Sequence, residues 1–223
     1  MKKILTTLSL SAALLSAAQS DAPARLQAAA DVFKEVMGIP DKAIPQDLLN
    51  KAQCVIVVPG LKKGAFFVGA KYGKGFASCR AKSGLGWGAP ASIRVEGGSF
   101  GLQIGGAEAD VIMLVMNESG MNRLLSTKFT LGGDVTAAAG PVGRSTQAET
   151  DAAMTAEILT WSRARGLFAG ISLSGATLRE DSDWNNELYG RKITNREIIT
   201  STIAPPAPAQ PMLDELNRYS SRK

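Results

Sequence analysis

The chain has 223 residues, 25 basic and 20 acidic side chains for a formal net charge of +5, 45% hydrophobic residues, and no histidine. That apolar content suffices for one sizeable core and excludes wholesale disorder or a fibrous repeat. The missing imidazole excludes Ser-His-Asp and Cys-His nucleophilic catalysis, histidine-ligated zinc and a histidine pH switch. Two cysteines cannot build a four-thiolate zinc site, and 23 glycines beside 6% aromatics point to tight turns and close backbone approaches.

Lys2 and Lys3 precede an apolar stretch from Ile4 to Ala18, and the small residues Ser16 and Ala18 stand at −3 and −1 before Gln19. A positive start, a short apolar core and a small-residue exit predict a secretory signal peptide over residues 1–18. The run is shorter than the ~20 residues of a membrane span. No cysteine follows the exit to carry a lipid anchor. The expectation is an exported protein, periplasmic or secreted. Removal of residues 1–18 leaves 23 basic against 20 acidic residues, net +3. That is mild attraction for anionic surfaces and far from a nucleic-acid stripe. In an oxidising compartment Cys54 and Cys79 are disulfide candidates, each in a strand-like run; two buried free thiols are the alternative.

Pro23 to Gly38 places Leu26, Ala30, Phe33 and Met37 on one helical face, with Arg25, Asp31, Lys34 and Glu35 on the polar side. A short helical stretch follows Pro45. CVIVVPG, GAFFVGAKYG, GFASCRA, PASIRVEGG and SFGLQIG then read as short strands between glycine turns. The continuous apolar run Ala109 to Asn117 reads as a covered central strand. SGMNRLLSTK reads as a helix and FTLGGDVTAAAG as a further strand. Residues 146–165 carry both a capping-box spacing, Thr146 and Glu149, and strand texture; a loop or short helix followed by a hairpin turning at Arg165–Gly166 is expected. Thr194 and Glu197 mark a short helix. Ala204 to Pro211 reads as a Pro-rich linker, and the last residues either dock as an amphipathic turn or fray. The fold class is α+β: a single compact domain with an antiparallel glycine-rich sheet or partly closed barrel and N-terminal helices. The expected boundaries are 1–18, 19–203 for the domain, and 204–223 for linker and tail.

No nucleotide motif survives inspection: GGSFGLQIGG is not GxGxxG, and no GxxxxGK[ST] occurs. The loop GPVGRS, Gly140 to Ser145, could turn backbone N–H groups towards one point beside Arg144, a candidate anion site; a turn with a paired arginine is the alternative. Arg163 and Arg165 share a strand face and could join Arg144 in a basic patch. Glu108 and Asp110 share a face as well, without any mark of acid and base. No catalytic constellation emerges.

The succession CVIVVPGLKKGAFFVGAKYGKG, WGAPASIRVEGGSFGLQIGGAEADVIMLVMN, LGGDVTAAAGPVGR, WSRARGLFAGISLSGATL and NNELYG resembles the SYLF domain over roughly Asp21 to Ser201. The resemblance implies a compact glycine-rich domain with N-terminal helices. It implies lipid binding, with phosphoinositides preferred by eukaryotic members, and actin binding in fungal ones. The chain departs from the family at Trp161, where tyrosine is usual, at Ser174, where glutamate is, and at Leu188 before Tyr189, where a second aromatic is. Carried over by position, the lipid-contact features fall on the Asp21–Met37 helix, with Phe33 and Lys34, and on Arg144, Arg163 and Arg165.

The function expected is therefore a non-enzymatic lipid-binding module at an anionic membrane surface, with no cofactor, metal or nucleic acid. The alternative is an envelope protein that is structural or binds a protein partner.

Overall fold

The computed structural model describes residues 21–39, 43–66, 68–100, 105–141, 155–164, 167–168 and 173–221, and only the backbone at 65–66, 68, 99–100, 105 and 167–168. The signal segment, Arg144, Arg165 and the Thr146–Glu149 capping box lie outside the described residues.

Helix α1 (Ala22–Met37) opens on a proline and buries Leu26, Ala29, Ala30, Phe33, Val36 and Met37, the three-and-four spacing of a single face. A short α2 (Gln46–Lys51) leads into four long strands: β1 (Cys54–Phe66), β2 (Val68–Cys79), β3 (Ala91–Phe100) and β4 (Gly105–Val115). CVIVVPG, GFASCRA and PASIRVEGG fall on β1, β2 and β3, GAFFVGAKYG spans the β1–β2 connection, and most of SFGLQIG lies outside the described residues. α3 (Glu118–Leu124) follows, capped by Asn117, whose side chain accepts from Gly120 N at 2.9 Å. Next come β5 (Lys128–Thr130), β6 (Ala137–Ala139), β7 (Ile158–Ala164), β8 (Leu167–Phe168) and β9 (Thr177–Glu180). The chain ends in α4 (Ser182–Tyr189), α5 (Asn195–Thr200), a 3₁₀ turn (Ala207–Ala209) and α6 (Gln210–Ser220). FTLGGDVTAAAG is not one strand: Gly132 at φ +77° and Asp134, which accepts from Thr130 N at 2.8 Å, turn it between β5 and β6. The Thr194–Glu197 capping box is formed.

The sheet runs β5-β9-β3-β2-β1-β4-β7-β6, with β8 beside β7. Every pair is antiparallel except β6 with β7. It is a single α+β domain whose sheet curls into a half-barrel. Both faces of its centre are covered, which is why CVIVV and VIMLV are continuous apolar runs. On the outer face Val55, Val57, Phe76, Ile112, Leu114 and Trp161 pack beneath α1, α4 and α6. On the inner face Ile56, Val58, Val111 and Met113 meet Ile93, Val95, Phe129 and Leu178 across the curl.

Cys54 and Cys79 are register partners at the paired ends of β1 and β2, and their sulfurs are bonded. Met121 Sδ lies 3.2 Å from Cys54 Sγ.

The C-terminal residues form no separate tail. Met212, Leu213 and Leu216 of α6 complete the outer core, and Phe33 meets Tyr219 edge to face at 6.0 Å between ring centroids. Arg80 stacks on Trp87 and donates to Leu49 O (2.9 Å), Ala52 O (3.2 Å) and Ser220 Oγ (2.6 Å), while Trp87 Nε1 donates to Ser220 O at 2.9 Å. Arg80 Nη1 also donates to Ser220 O, so one guanidinium satisfies carbonyls at the ends of both α2 and α6. The boundary expected at residue 203 therefore has no structural counterpart, because apolar burial and these caps tie α6 to α1.

Candidate functional site

A bulge divides β1 into two halves of opposite character. Between Val58 and Leu61 the register slips, so that Pro59 and Gly60 stand opposite Asp110 alone. Gly60 adopts φ +57°, a left-handed conformation that glycine takes without strain. The backbone groups freed by the bulge are satisfied by side chains. Gly60 N donates to Asp110 Oδ1 at 3.0 Å, and Arg25 Nη1 donates to Pro59 O at 2.9 Å. Arg163 Nη2 in turn bonds Asp110 Oδ2 at 3.1 Å and pairs with Glu35 of α1.

This accounts for several residues expected to contact lipid. Arg163 is held between Asp110 and Glu35 and braces the bulge against α1 and β7, so it is not a free head-group donor. Phe33 has 0% of its surface exposed, because the apolar stripe of α1 packs on the sheet, and no face of Phe33 remains for a membrane. Lys34 is exposed in the last turn of α1. The three arginines are therefore not seen as one patch: Arg163 is paired, and Arg144 and Arg165 lie outside the described residues. Trp161 packs its ring against Gly140, where an added Cβ would stand 2.1 Å from it, and donates to Pro141 O at 2.9 Å.

Beyond the bulge the strands continue past the helices, and their registers stack residues in rows across β3, β2, β1 and β4. The first row is Glu96–Tyr72–Lys62–Glu108, the second Gly97–Lys71–Lys63–Ala107. Then come Gly98–Ala70–Gly64–Gly106 and Ser99–Gly69–Ala65–Gly105, and the end row Phe100–Val68–Phe66. From the second row outward the only charged residues are Lys63 and Lys71, directly opposite one another. Burial, and then the neighbouring Lys63 ammonium, hold Lys71 below the usual lysine value. Lys71 Nζ lies 3.4 Å from Ser174 O. Tyr72, 49% exposed, stands in the first row beside Lys62. An open trough of about 930 Å³ runs over this region, lined by Lys62, Lys63, Gly64, Gly106, Glu108 and Arg163 among others.

Glycines on the two sides of the bulge differ in kind. At Gly75 an added Cβ would meet Val57 O at 2.1 Å, and at Gly73 it would meet Leu61 Cδ1 at 2.8 Å. At Gly64 it would meet nothing within 4 Å, and at Gly98 and Gly106 only a carbonyl oxygen at 3.9 and 4.0 Å. Packing requires the first pair. Neither packing among the described residues nor a positive φ requires the distal three.

Sequence reasoning passed over Lys62, Lys63, Lys71 and Tyr72 as hairpin residues. The available signal was LKKGAFFVGAKYGKG, four lysines with no acid around an apolar turn. Among the described residues no group of three or more Cys, Asp or Glu side chains could hold a metal ion, and no helix is long and apolar enough to cross a membrane.

Residues 96–219 match the family model described as Ysc84, Las17-binding protein actin regulator. The chain is 33% identical over 201 residues to the SH3 domain-containing YSC84-like protein 1 of Xenopus laevis, covering 87% of this chain and 59% of that protein. The Homo sapiens protein of the same name is 30% identical over 184 residues, 82% of this chain and 53% of the relative. LAS seventeen-binding protein 3 of Saccharomyces cerevisiae (strain ATCC 204508 / S288c) is 32% identical over 175 residues, 77% and 38%. The yeast relative is named a binding protein and the other two SH3 domain-containing proteins, and the chain spans about half the length of the curated relatives it matches. With a family model over more than half of its residues and relatives at about a third identity over most of its length, the chain belongs to the Ysc84/SYLF family.

Proposed function

We propose that this protein is a non-enzymatic module that associates with anionic membrane surfaces. The observation that carries the reading is the exposed pair Lys62 and Tyr72, register partners beyond the bulge, with half-buried Lys63 beside them along the open trough. They supply cations and an amphipathic ring for an interface. The contact surface is then the end of the sheet. It is neither the α1 stripe, which is core, nor Arg163, which is paired.

The protein acts after export, in this reading. The Lys2–Lys3 start and the apolar run before Gln19 support a cleaved signal, and the Cys54–Cys79 bond suits an oxidising compartment. Mass spectrometry of the protein from its native host should find a chain beginning near Gln19 or Asp21; an intact Met1 in the cytoplasm rejects export.

The lipid reading is tested by sedimenting the mature protein with phosphatidylcholine vesicles, with and without phosphatidylglycerol, at low and high salt. Binding to the anionic vesicles that fades with salt is expected, since a net charge of +3 gives weak, screened attraction. No binding at low salt rejects the reading. A protein partner then takes its place, a role supported by relatives whose names describe Las17-binding proteins.

A further inference from the structure

We infer that the cleft between the β2–β3 loop and the segment after α5 binds a single-chain anionic amphiphile, a medium-chain fatty acid, with its alkyl tail inside and its carboxylate at Lys82. The site does not rest on the membrane reading above. Tyr72 stands towards one end of β2 (Val68–Cys79), and the cleft opens beyond the other.

Three observations converge. The first is size. The cleft holds about 330 Å³, at the small end of the range for ligand clefts. That is room for about eleven groups of water size at ~30 Å³ each. One chain of medium length fits, and the two chains of a phospholipid do not.

The second is the lining. Trp87, Ala89 and Ile198 are its buried walls, and half-buried Ile199 and Ile203 continue them. Ala89 and Ile198 belong to a small apolar cluster with Ala91 and Ile193, separate from the two cores of the sheet, and the cleft opens against it. Trp87 is fixed in place, since Arg80 stacks on its ring at 3.8 Å and its Nε1 donates to Ser220 O. A wall held in this way loses little freedom when a ligand enters.

The third is charge. Arg80 and Lys82 line the cleft among the described residues, and no carboxylate does. The Arg80 guanidinium is taken up by the carbonyls of α2 and α6. Lys82 is exposed and makes no hydrogen bond or ion pair among the described residues. An apolar pocket with one free ammonium at its rim matches a tail that ends in an anion. Leu85, 60% exposed, stands in the loop between Ser83 and Trp87, both of which line the cleft, and adds apolar surface beside it.

The test titrates the full mature protein by calorimetry with decanoate, decanol and decyltrimethylammonium, each below its micellar concentration. Decanoate should bind with one equivalent per chain, and decyltrimethylammonium at least about tenfold more weakly. Two variants divide the site. Lys82→Glu changes an exposed residue and should weaken decanoate by at least about tenfold while decanol stays within about twofold. Thr202→Trp adds a ring at an exposed lining position and should abolish binding of both. Each variant should keep the thermal midpoint of the wild type and its partition to vesicles of phosphatidylcholine with phosphatidylglycerol. The inference is overturned if the wild type does not bind decanoate at millimolar concentration, if it binds the cationic amphiphile as well, or if both folded variants bind decanoate as the wild type does. Loss of vesicle partition in both variants would overturn the assignment to a free fatty acid and make the cleft a bilayer contact. Should Thr202→Trp fail to fold, Lys82→Glu decides alone.

Discussion

The same four strands are built twice. On one side of the Pro59–Gly60 bulge, β1 and β4 read Val, Ile, Leu and Met, their side chains are sealed on both faces, and Gly73 and Gly75 stand where a neighbouring side chain or backbone presses against them. On the other side the strands keep their ladder yet carry lysine, glycine and alanine, with no helix above them among the described residues. Backbone hydrogen bonding alone therefore does not distinguish core from periphery here. The distal half instead meets the turn at Ser174–Ala176, through Lys71 and Gly97, and leaves Lys62 and Tyr72 exposed.

The comparison is broken most forcefully from the core side. Phe33→Ala removes a fully buried ring between α1 and α6, and should cost about 3–5 kcal/mol of stability in chemical denaturation. Vesicle binding by the fraction that remains folded should be unchanged. Loss of binding without loss of stability would return the membrane contact to α1.

Reduction comes next. Cys54 and Cys79 are 25 residues apart in sequence, so the bond closes a loop worth about 3 kcal/mol in the chain-entropy account. Alkylation of the native protein should find no thiol until a reductant is added, and the reduced protein should unfold at lower denaturant. Two reactive thiols in the untreated, exported protein would contradict the bond.

These two cases also show what could be read from the sequence. α1, the covered strand at Val111–Val115 and the Thr194 capping box follow from local patterns: apolar spacing and a capping pair three residues apart. What depends on pairing was not legible. Whether Cys54 meets Cys79, or Lys63 meets Lys71, is decided by register, and one residue of bulge at Gly60 shifts every partner beyond it. Arg163 and Arg165 read as a shared basic face, but Asp110 and Glu35, which claim Arg163, come from other elements. The C-terminal stretch carried Met212, Leu213 and Leu216 at helical spacing; its docking site on α1 was invisible until the outer face of the sheet was assembled.

A third, smaller effect tests the brace at the bulge. Arg163→Gln should lower stability by about 1 kcal/mol, because the pairs with Asp110 and Glu35 are only partly shielded from water. Vesicle binding should stay near the wild-type level. A large fall in binding with the fold intact would mean that the arginine does reach lipid and that the two halves of the sheet are not functionally separate.

The smallest stability effect is expected at Lys71, and it is the most informative. In the folded protein burial and Lys63 depress its proton affinity, so the folded state holds the proton less tightly than the unfolded chain does. The sign follows: below the folded pKa both states are protonated and the penalty is complete. As pH rises between the folded and unfolded values, the unfolded state binds more protons and stability increases. Lys71→Gln removes the charge and also the hydrogen bond to Ser174 O, two opposed changes, so the net change near neutral pH should stay within about 0.5 kcal/mol. Its alkaline stability profile should be flatter than that of the wild type. Vesicle binding should stay near the wild-type level, since Lys71 is buried against Ser174 O while Lys62 and Tyr72 are exposed. If Lys71→Gln loses anionic vesicles with its fold intact, the contact is the lysine row rather than the exposed pair Lys62 and Tyr72.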